Sequence, residues 1–407
     1  MVSSTADLPG ARRRPRDRRQ QIVAASARLF AEQGYRQVGM AEVAAQVRIG
    51  ASALYRHFRG KSDLLVAVLD DALDSLEAAT GGAPPPGELL AAIAEVTLTR
   101  RDYVALWDRE ASELPPDAAE RLRARRDRLL GRVREVGERL VEAGPEASGE
   151  QPGGDGVGPP GPDAAAARAV AALAVLQSPA RHHVELEREV AVALLRAAAT
   201  ACLTAPLPRL PGAPARPATP LVPRSRGEAL LATASRLFAE RGYHAVSLTE
   251  IGAATGIAGP SIYNHFASKL DLLTAILNRG NETLWFALHR ALAEAADAPD
   301  ALGRLVGSYV DVVGSSGVVP VLLTEVASLP EAPRERYRAV QQRYVSEWVG
   351  LLRCARPELD EPAARVLVHA ALAAVNALTS AGPVVSAARV RVLARAALGL
   401  PDTAVDR

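Results

Sequence analysis

The chain has 407 residues, a formal net charge of +2 and 48% apolar residues. This length allows two to four domains that each bury a core. Aromatic residues make up 4% of the chain, and no stretch alternates apolar and polar residues as a half-buried strand does, so an all-α fold is predicted. No phosphate-binding glycine loop after a strand and no nucleophile motif is present, so we expect that the protein is not an enzyme.

Neither a signal peptide nor a membrane span is expected. No apolar segment follows the N-terminal arginines, and Arg365, His369 and Asn376 interrupt the longest apolar stretch. The two cysteines, Cys202 and Cys354, lie in apolar helical settings far apart in the sequence. This placement favours buried thiols in a reducing compartment over a disulfide.

The chain begins with a basic segment in which residues 12–19 contain six arginines. We predict that residues 1–15 form a disordered arm. Such an arm either contacts phosphates or enters a narrow minor groove, as homeodomain arms do, or it serves only as a solubilising tail.

The sequence contains a long internal repeat. Residues 22–65 align without a gap with residues 230–273, with 19 identities in 44 positions. The similarity continues at a shifted offset, where Glu110 matches Glu325. A repeat of this length indicates two whole domains in series rather than a solenoid. Each half therefore consists of a small module followed by a larger helical one.

Positive charge is concentrated in the repeated segments. Residues 1–66 contain 12 Lys/Arg and 5 Asp/Glu, and residues 209–275 contain 7 and 4, which gives +7 and +3 and leaves 2 − 10 = −8 for the remainder. This distribution is typical of phosphate-binding modules attached to acidic cores. The two lysines of the chain, Lys61 and Lys269, occupy matching positions. They indicate either a site that requires a compact ammonium group or chance retention after duplication.

The second copy has the pattern of two short helices joined by a tight turn. Residues 226–240 form an amphipathic helix, and Ser247 with Glu250 makes a capping box for the next one. Gly256 can adopt the left-handed turn conformation, and Pro260 suits the first turn of the following helix. This pattern predicts a helix-turn-helix, whose second helix enters the major groove of DNA.

The first copy departs from this pattern at two positions. Gly39 replaces the capping serine, which costs only about 0.3 kcal/mol. Arg48 replaces the turn glycine, and a left-handed backbone costs such a residue about 1 kcal/mol or more. Either the turn is remodelled, or Arg48 makes a compensating DNA contact. We therefore expect the second copy to be the better reader of DNA.

Three linked motifs carry a resemblance to a known family. They are Leu-Phe-Ala-Glu-x-Gly-Tyr at 29–35 and 237–243, the turn Gly256-Ile257, and Tyr-x-His-Phe-x-x-Lys-x-Asp-Leu-Leu at 55–65 and 263–273. Together they resemble the tetracycline-repressor (TetR) family of bacterial transcriptional regulators. The resemblance implies two tandem all-α units, each a three-helix DNA-binding domain followed by a helical ligand and dimerisation domain. It also implies a cytoplasmic protein that needs no cofactor and no metal.

The expected domains follow from this resemblance and the repeat. They are the basic arm (1–15), the first DNA-binding domain (16–76), the first effector domain (77–203) with a disordered loop (144–162), a Pro-rich linker (204–223), the second DNA-binding domain (224–284) and the second effector domain (285–400).

The resemblance places DNA contacts in residues 39–58 and 247–266 and at the lysines that follow. Tyrosine, histidine and lysine would face phosphates, while Arg56 and Asn264 could read guanine and adenine. The alternative for the histidines is a role in the small core. The predicted contact residues are Arg48, Ser52, Ala53, Tyr55, Arg56, His57 and Lys61 in the first copy and Ser247, Gly259, Pro260, Ser261, Tyr263, Asn264, His265 and Lys269 in the second.

The linker favours pairing of the two halves within one chain. Prolines recur at every third position from 208 to 223, which favours an extended polyproline II conformation. At roughly 3.1 Å per residue, the 22 residues from Thr204 to Ser225 would span about 68 Å. Helices at 163–178 and 184–203 would then pack on those at 360–381 and 385–399 as a four-helix bundle. An intramolecular pseudo-dimer is expected, and the alternative is a dimer of chains with four DNA-binding modules.

The resemblance implies a small-molecule pocket in the effector domains, and an apolar ligand is expected. Glu110 and Glu325 would be polar anchors there or lie on solvated helix faces. The pair His182-His183 lacks further ligands, so zinc is not expected. The expected function is a sequence-specific repressor released by a small apolar ligand; the alternative is a regulator controlled by a protein partner. The candidate pocket residues, each also compatible with an ordinary core, are Tyr103, Trp107, Trp285, Phe286, Tyr309 and Trp348.

Overall fold

The computed structural model describes residues 15–82, 84–143, 162–208, 223–257, 259–315, 318–380 and 385–401. The arm (1–15) and the loop (144–162) expected from the sequence lie almost wholly outside the described residues, as does most of the linker. No strand occurs in the described parts, and the predicted all-α fold is confirmed. The chain divides into two compact units, which comprise residues 1–81 with 99–128 and residues 82–98 with 129–407.

The helices of the first repeat match the expected order of a small module and a larger one. In chain order they are α1 (Pro15–Gln33), α2 (Met40–Gln46), α3 (Ala51–Tyr55), α4 (Lys61–Ala79), α5 (Pro86–Thr99), α6 (Arg101–Glu110), α7 (Pro116–Glu142), α8 (Pro162–Gln177) and α9 (Arg188–Thr204).

The second repeat reproduces this order with its own boundaries. Its helices are α10 (Arg226–Arg241), α11 (Leu248–Thr255), α12 (Gly259–Ile262), α13 (Lys269–Glu294), α14 (Ala298–Ser315), α15 (Val318–Thr324), α16 (Glu331–Ala355), α17 (Glu361–Ser380) and α18 (Ala387–Leu398).

In the first unit, α1 packs on α2, α4 and α6, and α2 packs on α3. Phe30 of α1, Leu54 of α3 and Leu64 of α4 are completely buried in this small core. Such burial of apolar side chains is the main stabilising contribution to a module of this size. The short recognition helix α3 is therefore held against α2, with its Leu54 buried in this core.

An arginine on α7 holds α4 in the first unit. The Arg125 guanidinium donates to Asp70 at 2.9 Å, Asp74 at 2.6 Å and Glu77 at 2.7 Å. The hydrogen bond from Arg125 is the main cause that lowers the pKa of Glu77. Because one guanidinium bridges three carboxylates along α4, this network orients α4 more strongly than an isolated surface ion pair would.

In the second unit, α17 packs on α8 and α18, α8 packs on α9, and α9 packs on α18. The four-helix bundle predicted between the two halves is thus present. Its core is rich in alanine and valine, such as Val175, Ala199, Val368 and Ala374, each with 0% exposure. Small side chains allow the helices to approach closely, and the buried apolar area stabilises the contact.

Helix α17 is long and apolar enough to cross a membrane, and among the described helices it alone meets that test. Most of its residues are buried inside the second unit, as expected for the central helix of a bundle. The three polar interruptions noted in the sequence, Arg365, His369 and Asn376, lie on this helix.

Two polar contacts cross between the halves in the bundle. The rings of His182 and His369 stack with centroids 4.5 Å apart, and the Cys202 thiol donates to the Leu393 carbonyl at 3.5 Å. Cys202 is buried as predicted, and burial raises the pKa of its thiol to about 12. The corresponding prediction for Cys354 is wrong: this residue is exposed near the C-terminal end of α16.

Candidate nucleic-acid interface

The second helix-turn-helix has the local geometry that its sequence predicts. The Ser247 hydroxyl accepts a hydrogen bond from the Glu250 N–H at 3.2 Å, and the Ser247 N–H donates to the Glu250 carboxylate at 2.7 Å. This capping box starts α11. Gly256 ends α11 in the left-handed conformation, with φ = 68°.

The first helix-turn-helix keeps the same turn despite its different residues. The Gly39 N–H donates to the Glu42 carboxylate at 2.6 Å, so half of the capping box survives. Arg48 has φ = 54° and is the one non-glycine residue with positive φ in the described parts of the chain. The Ile49 N–H donates to the Ala44 carbonyl at 3.0 Å. The turn is therefore not remodelled, and Arg48 carries the backbone strain.

The turns of the two copies also share their hydrogen-bond pattern. In the second copy, the Ile257 N–H donates to the Gly252 carbonyl at 2.9 Å, the counterpart of the bond between Ile49 and Ala44. This is the Schellman arrangement that closes a helix C-terminus on a left-handed residue. The recognition helices α3 and α12 consequently follow turns of equivalent geometry.

Each copy presents an exposed tyrosine at the end of its recognition helix. Tyr55 is 53% exposed and Tyr263 is 61% exposed, and such large exposed aromatic side chains are available for a partner. His57 and His265 are exposed beside them. The alternative role of these histidines in the core therefore does not hold.

The remaining predicted contact residues lie on the same segments. Arg56 and Asn264 occupy matching exposed positions, and the Arg56 guanidinium donates weakly to the Ser52 carbonyl of its own helix at 3.5 Å. Ser261 and Ala53 are half-buried, whereas Ser52 and Arg48 are exposed. Gly259 and Pro260 form the first turn of α12.

The two lysines turn back onto the modules that contain them. The Lys61 ammonium lies 4.5 Å from the centroid of the Tyr35 ring and donates to the Arg36 carbonyl at 3.1 Å. The Lys269 ammonium lies 4.3 Å from the Tyr243 ring. These are cation–π distances. Burial lowers the pKa of Lys61. Each ammonium group therefore already has a partner within its own module. A phosphate contact by either lysine stays a prediction.

Each of these tyrosines also packs edge-on against a phenylalanine of the first helix. Phe30 and Tyr35 have ring centroids 5.2 Å apart, and Phe238 and Tyr243 have centroids 5.3 Å apart. The stack of phenylalanine, tyrosine and lysine joins the end of the first helix to the start of the fourth in both copies. The same stack thus recurs at the repeat position that both lysines of the chain occupy.

In each repeat, a buried glutamate from the larger module accepts a hydrogen bond from the backbone N–H of the tyrosine that follows the first helix. The Glu110 carboxylate accepts from the Tyr35 N–H at 3.4 Å, and the Glu325 carboxylate accepts from the Tyr243 N–H at 3.1 Å. Each glutamate is 9% exposed, and burial raises the pKa of Glu110. The expectation of a pocket anchor or a solvated face is wrong for both residues. Their match in the repeat was visible in the sequence, but their partner was not.

The aromatic residues of the second effector domain form a cluster between helices. Tyr309 of α14 meets Trp348 of α16 at 5.7 Å between centroids, and Trp285 of α13 meets Tyr344 of α16 at 5.9 Å. The Tyr309 hydroxyl donates to the Asn376 side chain of α17 at 3.0 Å. Tyr344 was not among the predicted pocket residues, although its spacing of four residues from Trp348 places both on one helix face.

The other candidate pocket residues have different surroundings. Phe286 is 69% exposed, so its expected place in a pocket is wrong. In the first unit Tyr103 and Trp107 are buried, and the Arg126 guanidinium lies 4.3 Å from the Trp107 ring. No group of three or more histidine, cysteine, aspartate or glutamate side chains in the described residues is placed to hold a metal ion.

Comparison with known proteins identifies the repeated module. The family model described as bacterial regulatory proteins of the tetR family matches residues 22–68 and again residues 230–276. These two ranges contain the capping segments, turns, recognition helices and lysines described above. The match therefore falls on both helix-turn-helix modules.

Curated relatives extend the similarity beyond these modules. The transcriptional activator FasR of Mycolicibacterium smegmatis is 38% identical over 88 residues, which are 22% of this chain and 40% of FasR. The transcriptional repressor KstR2 of Mycobacterium tuberculosis is 34% identical over 148 residues, which are 33% of this chain and 71% of KstR2. A solved TetR-family regulator from Bordetella parapertussis is 20% identical with a TM-score of 0.40, over 43% of this chain and 93% of that one. The chain belongs to the TetR family of bacterial regulatory proteins and carries the family's helix-turn-helix module twice.

Proposed function

We propose that this protein is a sequence-specific, DNA-binding transcriptional regulator that uses both helix-turn-helix modules of one chain. The observation that carries the proposal is a pair of exposed side chains at the end of each recognition helix. They are Tyr55 and His57 in the first module and Tyr263 and His265 in the second. Exposed tyrosine, histidine and basic side chains around a recognition helix suit contacts with phosphates, which set the register of that helix on the duplex.

The bundle of α8, α9, α17 and α18 supports a single chain as the DNA-binding unit. Family members pair two copies of one chain to present two DNA-binding modules, and in this chain the terminal helices of its two halves pack on each other. The apolar faces that a second chain would cover are thereby covered within the molecule. Two unlike modules in one chain would read an asymmetric site or an imperfect palindrome.

We further propose that the regulator is a repressor and that a small apolar ligand releases it from DNA. KstR2, the relative matched over 71% of its length, is named a repressor. The cluster of Tyr309, Tyr344 and Trp348 supplies an apolar interior with a few hydroxyl, indole and amide groups at its edge. Interiors of this composition are typical of small-molecule sites.

Control by a protein partner is the second candidate function, and the exposed Phe286 favours it. This side chain lies on α13, beside the half-buried Trp285, and is 69% exposed. Exposed aromatic side chains are frequent anchors of protein interfaces. A Phe286→Ala variant that regulates normally in the cell would count against the partner and in favour of the ligand.

Selection of bound fragments from genomic DNA, followed by a salt titration, tests the proposed function. Affinity for a selected fragment should fall steeply between about 50 and 200 mM salt, because phosphate contacts release counterions. Asn264→Ala should relax preference at one base pair, whereas His265→Ala should weaken binding to all sequences alike. Failure to select any fragment at low ionic strength would contradict the proposal.

A further inference from the structure

The two DNA-binding modules share their backbone geometry but differ in charge. Between residues 36 and 62 the first module contains Arg36, Arg48, Arg56, Arg59 and Lys61 against one acidic residue, which gives 5 − 1 = +4. The matching residues 244–270 of the second module contain one lysine and one glutamate, which gives 0. Because the turns are equivalent, the two modules differ by four charges although their backbones follow the same path through the turn.

Two of these arginines are paired with carboxylates in the described residues, and two are not. Arg36 is paired with Glu113, and Arg59 with Asp63. Arg48 and Arg56 are exposed and, in the part of the chain that the structure describes, form no ion pair with a carboxylate. Their charges are therefore not neutralised locally, and both flank the recognition helix α3.

The counterparts of these arginines carry no charge. Gly256 stands in place of Arg48, and Asn264 in place of Arg56. A glycine at the turn makes no side-chain contact, whereas an exposed asparagine on a recognition helix can pair bidentately with an adenine edge. The second module thus has a neutral side chain suited to base reading at this position and lacks the two positive charges that attract phosphates.

The backbone of Arg48 gives independent support for a role on DNA. Its φ of 54° belongs to the region that glycine adopts freely and that a residue with a side chain disfavours. The second copy shows that glycine fits the same turn, with φ = 68°. A strained residue with an exposed, unneutralised side chain is most simply explained by a function for that side chain.

We propose that the two modules divide the work of DNA binding: the first anchors the chain on phosphates through Arg48 and Arg56, and the second supplies base preference through Asn264. This inference rests on the proposed function, since it assumes that the chain binds duplex DNA. It predicts that salt dependence and sequence preference can be changed separately, each by substitutions in a different module.

The test removes the charges of Arg48 and Arg56. Glycine replaces Arg48, as in the second module, and alanine replaces Arg56, because an asparagine there would add a base-reading group. Each phosphate contact contributes about 0.9 to the slope of log affinity against log salt, so the double variant R48G/R56A should lose about 1.8 from the slope. The loss of affinity between about 50 and 200 mM salt should accordingly be about tenfold smaller than in the parent chain. The ranking of selected DNA sequences should stay the same.

Matched variants in the second module provide the control. Asn264→Ala should reduce preference at one base pair and leave the salt slope unchanged. The reciprocal variant G256R/N264R should raise the slope, because it places both arginines in the second module. Circular dichroism and thermal unfolding of each variant would show that the module still folds.

The outcomes separate this inference from the proposed function. A parent chain that binds no duplex at low ionic strength would contradict both. A parent that binds, together with an R48G/R56A variant whose slope is unchanged, would overturn the division of work alone. A relaxed sequence ranking in R48G/R56A would also overturn it, since the arginines would then be reading bases.

Discussion

Single residues account for the differences between the two copies. Arg48 keeps a turn that glycine would form without strain, and Gly39 keeps only the half of the capping box that its backbone can provide. Both departures could be recognised from the sequence, because the second copy shows which residues the geometry favours. Whether the turn would be remodelled could not be recognised, since that depends on the helices packed around it.

Replacement of Arg48 by glycine should stabilise the first module. Relief of the left-handed strain gains about 1 to 2 kcal/mol, and the greater chain entropy of glycine in the unfolded state offsets roughly half of this. We expect a net gain of about 0.5 to 1 kcal/mol, measured as a higher urea midpoint. The matched variant Gly256→Arg should lower the stability of the second module, and a loss of stability in Arg48→Gly would contradict the assignment of strain.

Glu325, which accepts a hydrogen bond from the Tyr243 N–H, should stabilise the junction between the second DNA-binding module and its effector domain. Glu325→Ala removes the acceptor from a half-buried N–H, which typically costs about 1 to 3 kcal/mol. Glu325→Gln keeps an acceptor oxygen and should lose much less. Urea unfolding of the two variants measures the difference. Equal stability of the alanine and glutamine variants would show that the hydrogen bond from Tyr243 contributes nothing.

At the scale of helices, the sequence was informative where a pattern is local. Amphipathic spacing predicted the helix at 226–240 and the four bundle helices to within a few residues. Two specific side-chain contacts between elements were not predicted. The stack of Lys269 on Tyr243 joins residues 26 positions apart, and the His182–His369 stack joins the two halves. No single segment carries a signal for either contact, although the recurrence of lysine at one repeat position was a partial one.

The stacked histidines predict a pH dependence of the bundle. Burial is the main cause that lowers the pKa of His369 to about 4, with a contribution from the Arg365 charge, against an ordinary value of 6.5. Between these two values the unfolded chain binds a proton that the folded chain does not, so stability rises with pH across this window. The stabilising contribution is complete above about pH 6.5 and is lost as the pH falls toward 4.

The measurement is urea unfolding at a series of pH values. A shift of this size corresponds to about 3 kcal/mol between the limits. His369→Gln should flatten the pH profile in this window, whereas the control His183→Gln, at an exposed neighbour of His182, should leave it unchanged. A parent chain equally stable at pH 4.5 and pH 7 would contradict a neutral, buried His369.

At the scale of the molecule, two repeats within one chain replace two chains. The duplication could be recognised from sequence, because residues 22–65 and 230–273 match without a gap. The packing of α8 and α9 on α17 and α18 could be expected from their apolar faces. The divergence of the effector domains was harder to foresee. An aromatic cluster occupies the second, whereas buried residues of the first lie beside arginine, as Trp107 lies beside Arg126.

The number of chains bound to one selected DNA fragment tests the central claim most directly. Native mass spectrometry of the complex at low ionic strength counts chains per duplex without assumptions about shape. If both DNA-binding modules of one polypeptide engage the same site, the complex will contain one chain per duplex, and the free protein will be a monomer. A complex that contains two chains, with no detectable complex of one, would show that the internal bundle does not replace the second subunit.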